Sequence, residues 1–251
     1  MEEMTEKRMV SIAGLFGVIG SILLVVRACP ILLPYVCRVV SIGDGIVLYD
    51  NLSISLAATL CLEAAFMFLL RIRVMRRVAV FGVIGYALMF FSGLQAAFMG
   101  AEEIISKGKT VAEWFVLINW GCLLFQLIAF GELYEFLPRK FAIFDVTGLA
   151  GLYAWSGICV LSMTLGQWIR FVWVVELVYA GAFLVVFFGL GMRGIEVRER
   201  RCAPWIKMFV CLLAVLNLAI AQRGVARRQQ WAAPDSVATG ASVTQEGAEK
   251  N

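Results

Sequence analysis

Histidine is absent from this 251-residue sequence. That removes Ser-His-Asp and Cys-His catalysis, histidine-ligated haem, H-E-x-x-H metalloproteases and histidine proton relays. Seven cysteines occur, at 29, 37, 61, 122, 159, 202 and 211, and no two form a C-x-x-C pair. Zinc and thioredoxin-like readings therefore lack support. No ATPase motif is present, so any primary pumping would need a partner chain. Charge is also scarce: 16% of residues are charged, where a soluble domain carries about a quarter. With no nucleophile–base pair and no metal set in the sequence, we expect neither an enzyme nor a bound cofactor.

What is abundant is apolar. Hydrophobic residues make up 61% of the chain and the mean hydropathy is +0.86. Too little polar surface remains to cover a water-soluble globule of this length. The apolar residues come in blocks near 9–26, 52–70, 78–99, 112–130, 146–165, 171–191 and 205–221. A helix of about 20 mostly apolar residues crosses a hydrocarbon core of about 30 Å. Lipid offers no partners to exposed backbone groups, so the spans must be helices, and the alternating pattern of a membrane β-barrel is missing. The expected fold is an all-α, polytopic bundle of about seven transmembrane helices over residues 1–221. Residues 222–251, rich in Ala, Ser, Gly, Thr and Gln, read as a disordered polar tail.

Basic residues favour cytoplasmic loops. One set of ends carries Lys7, Arg8, Arg71, Arg73, Arg76, Arg77, Arg139, Lys140, Arg193, Arg198, Arg200 and Arg201. The opposite set carries Arg27, Arg38, Lys107, Lys109 and Arg170. We therefore expect an integral protein of the cell (inner) membrane with a cytoplasmic N-terminus. Arg223, Arg227 and Arg228 follow the seventh block and oppose an odd span count. The net charge of +4 needs no nucleic acid, since basic loops beside anionic headgroups account for it. The partners expected are the lipid bilayer and other membrane proteins or further copies of the chain.

FGVIG occurs at 16–20 and again at 81–85, and the related GLAG at 148–151. The glycine pairs Gly17/Gly20, Gly82/Gly85 and Gly148/Gly151 suggest three tandem two-helix hairpins plus one helix. Internal repeats of this kind are frequent in transporters. Small residues that let helices approach closely explain the glycines equally well. The proline–acid–basic motif of the carriers built from three two-helix repeats is missing.

Polar residues inside the blocks mark the candidate site. Glu63 lies near the middle of the second block, where an ionised acid costs roughly 2.5–3.5 kcal/mol. Ser55, Thr59 and Glu63 share one helical face, as do Asn119, Cys122 and Gln126. Glu176 and Gln95 add to the set, with Tyr153, Ser156 and Asn217. These residues either line a polar cavity or act as interhelical hydrogen-bond glue. Cys29 and Cys37 share the first outer loop with Pro30 and Pro34, and a disulfide between them fits an oxidising compartment. Gly43-Asp44 and Tyr49-Asp50 resemble the paired motifs of intramembrane aspartyl proteases, but both sit in one loop in the wrong order.

The expected function is a small-solute or ion permease, or the membrane subunit of one. The alternative is a non-catalytic membrane subunit or scaffold of a larger complex. A water-accessible cavity around Glu63 would favour the permease, and a tightly packed dry core the subunit.

Overall fold

The computed structural model describes residues 2–29, 38–42, 46–50, 52–99, 109–165 and 172–195, with Val215, Ala219 and Arg223. The first six apolar blocks form helices, and all but the second run past their block at one end or both. They are α1 (Glu2–Ala28), α2 (Leu52–Leu69), α3 (Arg76–Met99), α4 (Lys109–Leu133), α5 (Arg139–Leu165) and α6 (Val172–Arg193). Five segments are long and apolar enough to cross a membrane: Met4–Ala28, Arg73–Gln95, Leu117–Phe136, Lys140–Ile158 and Trp173–Arg193. A shorter apolar helix, Ser53–Leu69, lies among them. The expected seventh span, 205–221, falls outside the described residues apart from the helical positions Val215 and Ala219. Between α1 and α2 lies an element that was not anticipated. Strands β1 (Arg38–Ile42) and β2 (Ile46–Asp50) form an antiparallel hairpin, with Arg38 opposite Asp50 and Ile42 opposite Ile46.

The connections at one end are short. After α2, Ile72 turns extended and a single 3₁₀ turn, Arg73–Met75, leads into α3. Ile72 and Met75 tuck inward while Arg71, Arg73, Arg76 and Arg77 stay exposed. After α4, the 3₁₀ turn Tyr134–Phe136 ends at Leu137, which is extended as a residue before proline prefers. Gly194 stops α6 with φ +73°, donating its N–H to the Leu190 carbonyl at 3.0 Å. A left-handed glycine at this position satisfies a carbonyl that the helix itself cannot.

Neighbouring helices run antiparallel, as their contacts show. Gly14 lies against Gly191 while Arg27, farther along α1, reaches Glu176 on α6. Gly85 lies against Gln126 while Ser92 reaches Asn119 on α4. Packing follows chain order from α1 to α4, α5 packs on α6, and α6 closes back on α1. The α4–α5 seam is the least packed of these neighbours. The helices thus make a ring, with the N-terminus, both 3₁₀ turns and the end of α6 on one side. That side carries the exposed Lys7, Arg8, Lys140 and Arg193 as well as the four arginines of the first turn.

Phenylalanines fill the centre of the ring. Phe66 of α2, Phe130 of α4, and Phe183 and Phe187 of α6 are all fully buried. Phe130 stacks on Phe183 with centroids 3.8 Å apart, and Phe66 meets the edges of Phe130 and Phe187 at 5.7 and 6.0 Å. Moving a ring from lipid into protein gains little transfer energy, so close contact decides stability here. Each such aromatic pair adds about 0.5–1.5 kcal/mol. The glycine pairs make room for this packing. Gly17, Gly82 and Gly148 each face a ring, from Phe187, Phe66 and Phe183 respectively, where a Cβ would collide. Gly20, Gly85 and Gly151 each admit the next helix of their own hairpin, at Leu62, Gln126 and Tyr179. In these three pairs the odd-numbered helices supply the glycines and the even-numbered ones the rings. The third pair departs in one respect: its ring comes from its own hairpin, where the first two take theirs from another.

Candidate functional site

The residues expected to form one site fall into separate groups. At the end opposite the basic turns, Arg27 sits in the last turn of α1, inside the helix rather than in the loop expected for it. Its guanidinium forms an ion pair with Glu176 of α6. It also donates to Ser55 Oγ of α2 at 3.1 Å and to the Tyr179 hydroxyl at 3.3 Å. Both charged side chains are about nine-tenths buried. Three helices are therefore tied at one point, and Glu176, an isolated acid by sequence, is neutralised there. Thr59, one turn along α2 from Ser55, is buried and donates to the Ser55 carbonyl at 2.7 Å.

The amide residues belong to the α3–α4 seam. Ser92 Oγ donates to Asn119 Oδ1 at 2.9 Å. Gln126 is buried, with Nε2 at 3.3 Å from Met89 Sδ and 3.4 Å from Cys122 Sγ. Sulfur is a weak acceptor, so these contacts fix the amide more by shape than by strength. Gln95 is half-buried on the same helix as Ser92. Glu63 is half-buried, two turns along α2 from Leu56, which borders Gly93 of α3. By helical position it lies on the flank of α2, between the buried Thr59 and Phe66 and the exposed Leu60 and Met67. Cys29 is a half-buried free thiol. Its expected partner Cys37, and Asn217, lie outside the described residues.

Two acids near the basic end were missed from sequence. Glu132, near the end of α4, is buried and lies 3.6 Å from Arg77 Nη2 of α3. Asp145 of α5 is 0% exposed, and neither of its carboxyl oxygens has a hydrogen-bond partner. The expected span, 146–165, begins one residue after Asp145. α5 begins at Arg139 instead, and Asp145 shares its inward face with Ala142, Gly148 and Leu152. No periodicity in the sequence marks it: the apolar Ile143, Phe144 and Val146 face outward, and the fold alone turns Asp145 in. Among the described residues no group of three acids or cysteines is placed to hold a metal ion.

The arrangement defines a class: an integral membrane bundle of antiparallel helices with an aromatic centre, a charged tie near one end and an orphan acid toward the other. No protein family, curated protein or solved structure matches the chain.

Proposed function

We propose that this chain is a non-catalytic membrane subunit or scaffold, acting through other membrane proteins. The observation that carries the reading is the aromatic centre. Phe66, Phe130, Phe183 and Phe187 close the axis that a solute would follow, and all four are fully buried. The amides and Glu176 serve as bonds between helices, and Glu63 sits on α2 beside the exposed Leu60 and Met67. Exposed Phe91, Ile143 and Phe188 give the outside an apolar surface for lipid or for membrane partners. The glycine–ring contacts support three two-helix repeats. The basic end supports a cytoplasmic N-terminus in the cell (inner) membrane.

The test is purification of the full chain in mild detergent beside reconstitution of the pure chain in vesicles. A fixed stoichiometry with one or a few membrane partners, and vesicles as tight as empty ones, is the expected result. Saturable solute or ion flux through the pure chain would overturn it. Reporter fusions after residues 75 and 197 should read as inside, and one after 107 as outside.

One observation favours the permease as a second reading: Asp145 is buried without a hydrogen-bond partner among the described residues, and acids inside membrane spans mark ion and proton pathways. Under that reading the ring described here is a closed conformation.

A further inference from the structure

The buried side-chain oxygens left without a partner among the described residues are Ser21 Oγ and both oxygens of Asp145. A hydroxyl tolerates this cheaply, but a carboxylate does not. An ionised acid away from water and without a counter-charge costs several kcal/mol. Such a group persists by pairing, by holding a metal ion or by holding a proton.

Among the described residues no pairing is available. The elements packed against α5 are α6, α4 and the 3₁₀ turn between α4 and α5. In their inner halves they carry Arg193, Glu132, Tyr134 and Glu135. Arg193 lies over the Phe141 ring, 5.8 Å from its centroid, and Glu132 pairs with Arg77. On α5 itself Lys140 is exposed. None of these groups bonds to Asp145. A metal ion fits no better. Hard cations require several oxygens to replace their water, and one carboxylate cannot supply them. A proton needs one oxygen. It also turns an acceptor-only group into a donor, able to use a carbonyl of its own helix. Two hydroxyls in the bundle already do this: Thr59 to the Ser55 carbonyl and Thr147 to the Ile143 carbonyl.

Its position limits how such a proton enters and leaves. On α5, Asp145 lies between two contacts with α6: Phe141 against Gly189, and Gly148 against Phe183. Phe183 in turn stacks on Phe130 of α4. Water reaches the carboxyl only if the seam among α4, α5 and α6 parts, and α4–α5 is its least packed side.

We propose that Asp145 is an intramembrane proton-binding site, its carboxyl holding a proton in the closed ring and exchanging it only when the α4–α5–α6 seam opens. The site goes beyond the subunit reading and does not depend on it. Infrared spectroscopy of the full chain in lipid bilayers, with ¹³C-labelled aspartate, tests it. The sequence has four aspartates, Asp44, Asp50, Asp145 and Asp235, and Asp145 is the one that the described helices carry. At neutral pH the expected result is an aspartate-specific C=O band of a protonated acid, absent from Asp145→Asn and slow to shift in heavy water. The labelled wild-type chain is informative alone, should the variant not fold. An aspartate signal consisting wholly of carboxylate overturns the proposal, and so does a protonated band that shifts as fast as an exposed acid.

Discussion

Glu176 and Asp145 lie on adjacent helices, α6 and α5, and both are acids inside apolar sequence. Glu176 meets Arg27, which brings Ser55 and Tyr179 into the same cluster. Asp145 meets no hydrogen-bond partner among the described residues. The first acid joins three helices; the second adds nothing to cohesion within the chain. An intramembrane acid therefore carries no fixed meaning, since its role depends on what the neighbouring helix presents.

This difference makes opposite predictions for similar substitutions. The largest effect belongs to Glu176→Leu, which strands the buried Arg27 and should destabilise the bundle by about 3–5 kcal/mol. Adding Arg27→Met to that variant should restore most of the loss, because replacing both members of a buried pair is often neutral. Unfolding of single and double variants in bicelles measures this. Equal loss in the double variant would show that the pair's packing, not its charge, holds the end together.

Next comes the aromatic centre. Gly82→Leu drives a side chain into the Phe66 ring and should cost about 3 kcal/mol by overpacking. Gly131→Ala has nothing within 4 Å of its new methyl and should leave the melting temperature unchanged or slightly raised. If the two glycines prove equally tolerant, the ring is looser than described.

Asp145→Val should act in the reverse direction to Glu176→Leu. It removes an unsatisfied buried group and should stabilise the bundle by about 2 kcal/mol. Destabilisation on the scale of Glu176→Leu would mean that Asp145 has a partner after all. The smallest effect is expected at Glu63, on the flank. Glu63→Gln should change stability by no more than about 0.5 kcal/mol and leave growth unaltered in a cell that depends on the protein. Loss of function with intact stability would return Glu63 to the centre of a permease mechanism.

Much of the architecture was legible before any coordinates. The apolar blocks marked the helices because lipid forces every backbone group into an internal hydrogen bond. The arginine clusters marked the turns at one end because a charge belongs at the water boundary. Block edges were read less well. The span expected at 146–165 is a helix from Arg139, since a helix continues through the interface where hydropathy already falls. That shift hid Asp145. The glycine pairs were visible, but their use was not: only the fold shows which rings they receive.

The candidate site divides the same way. Sequence alone placed Glu63, Glu176, Asn119 and Gln126 in the apolar blocks, because residue identity and local hydropathy suffice for that. It did not pair Glu176 with Arg27, which stand 149 positions apart and meet only because α6 closes back on α1. Nor did it separate Glu63 on the flank from Asp145 in the packed interior. Depth within a block is a property of one segment, but facing, pairing and isolation are properties of several helices together. The tertiary structure decided them, because each depends on the distance to a neighbour that the chain does not specify locally.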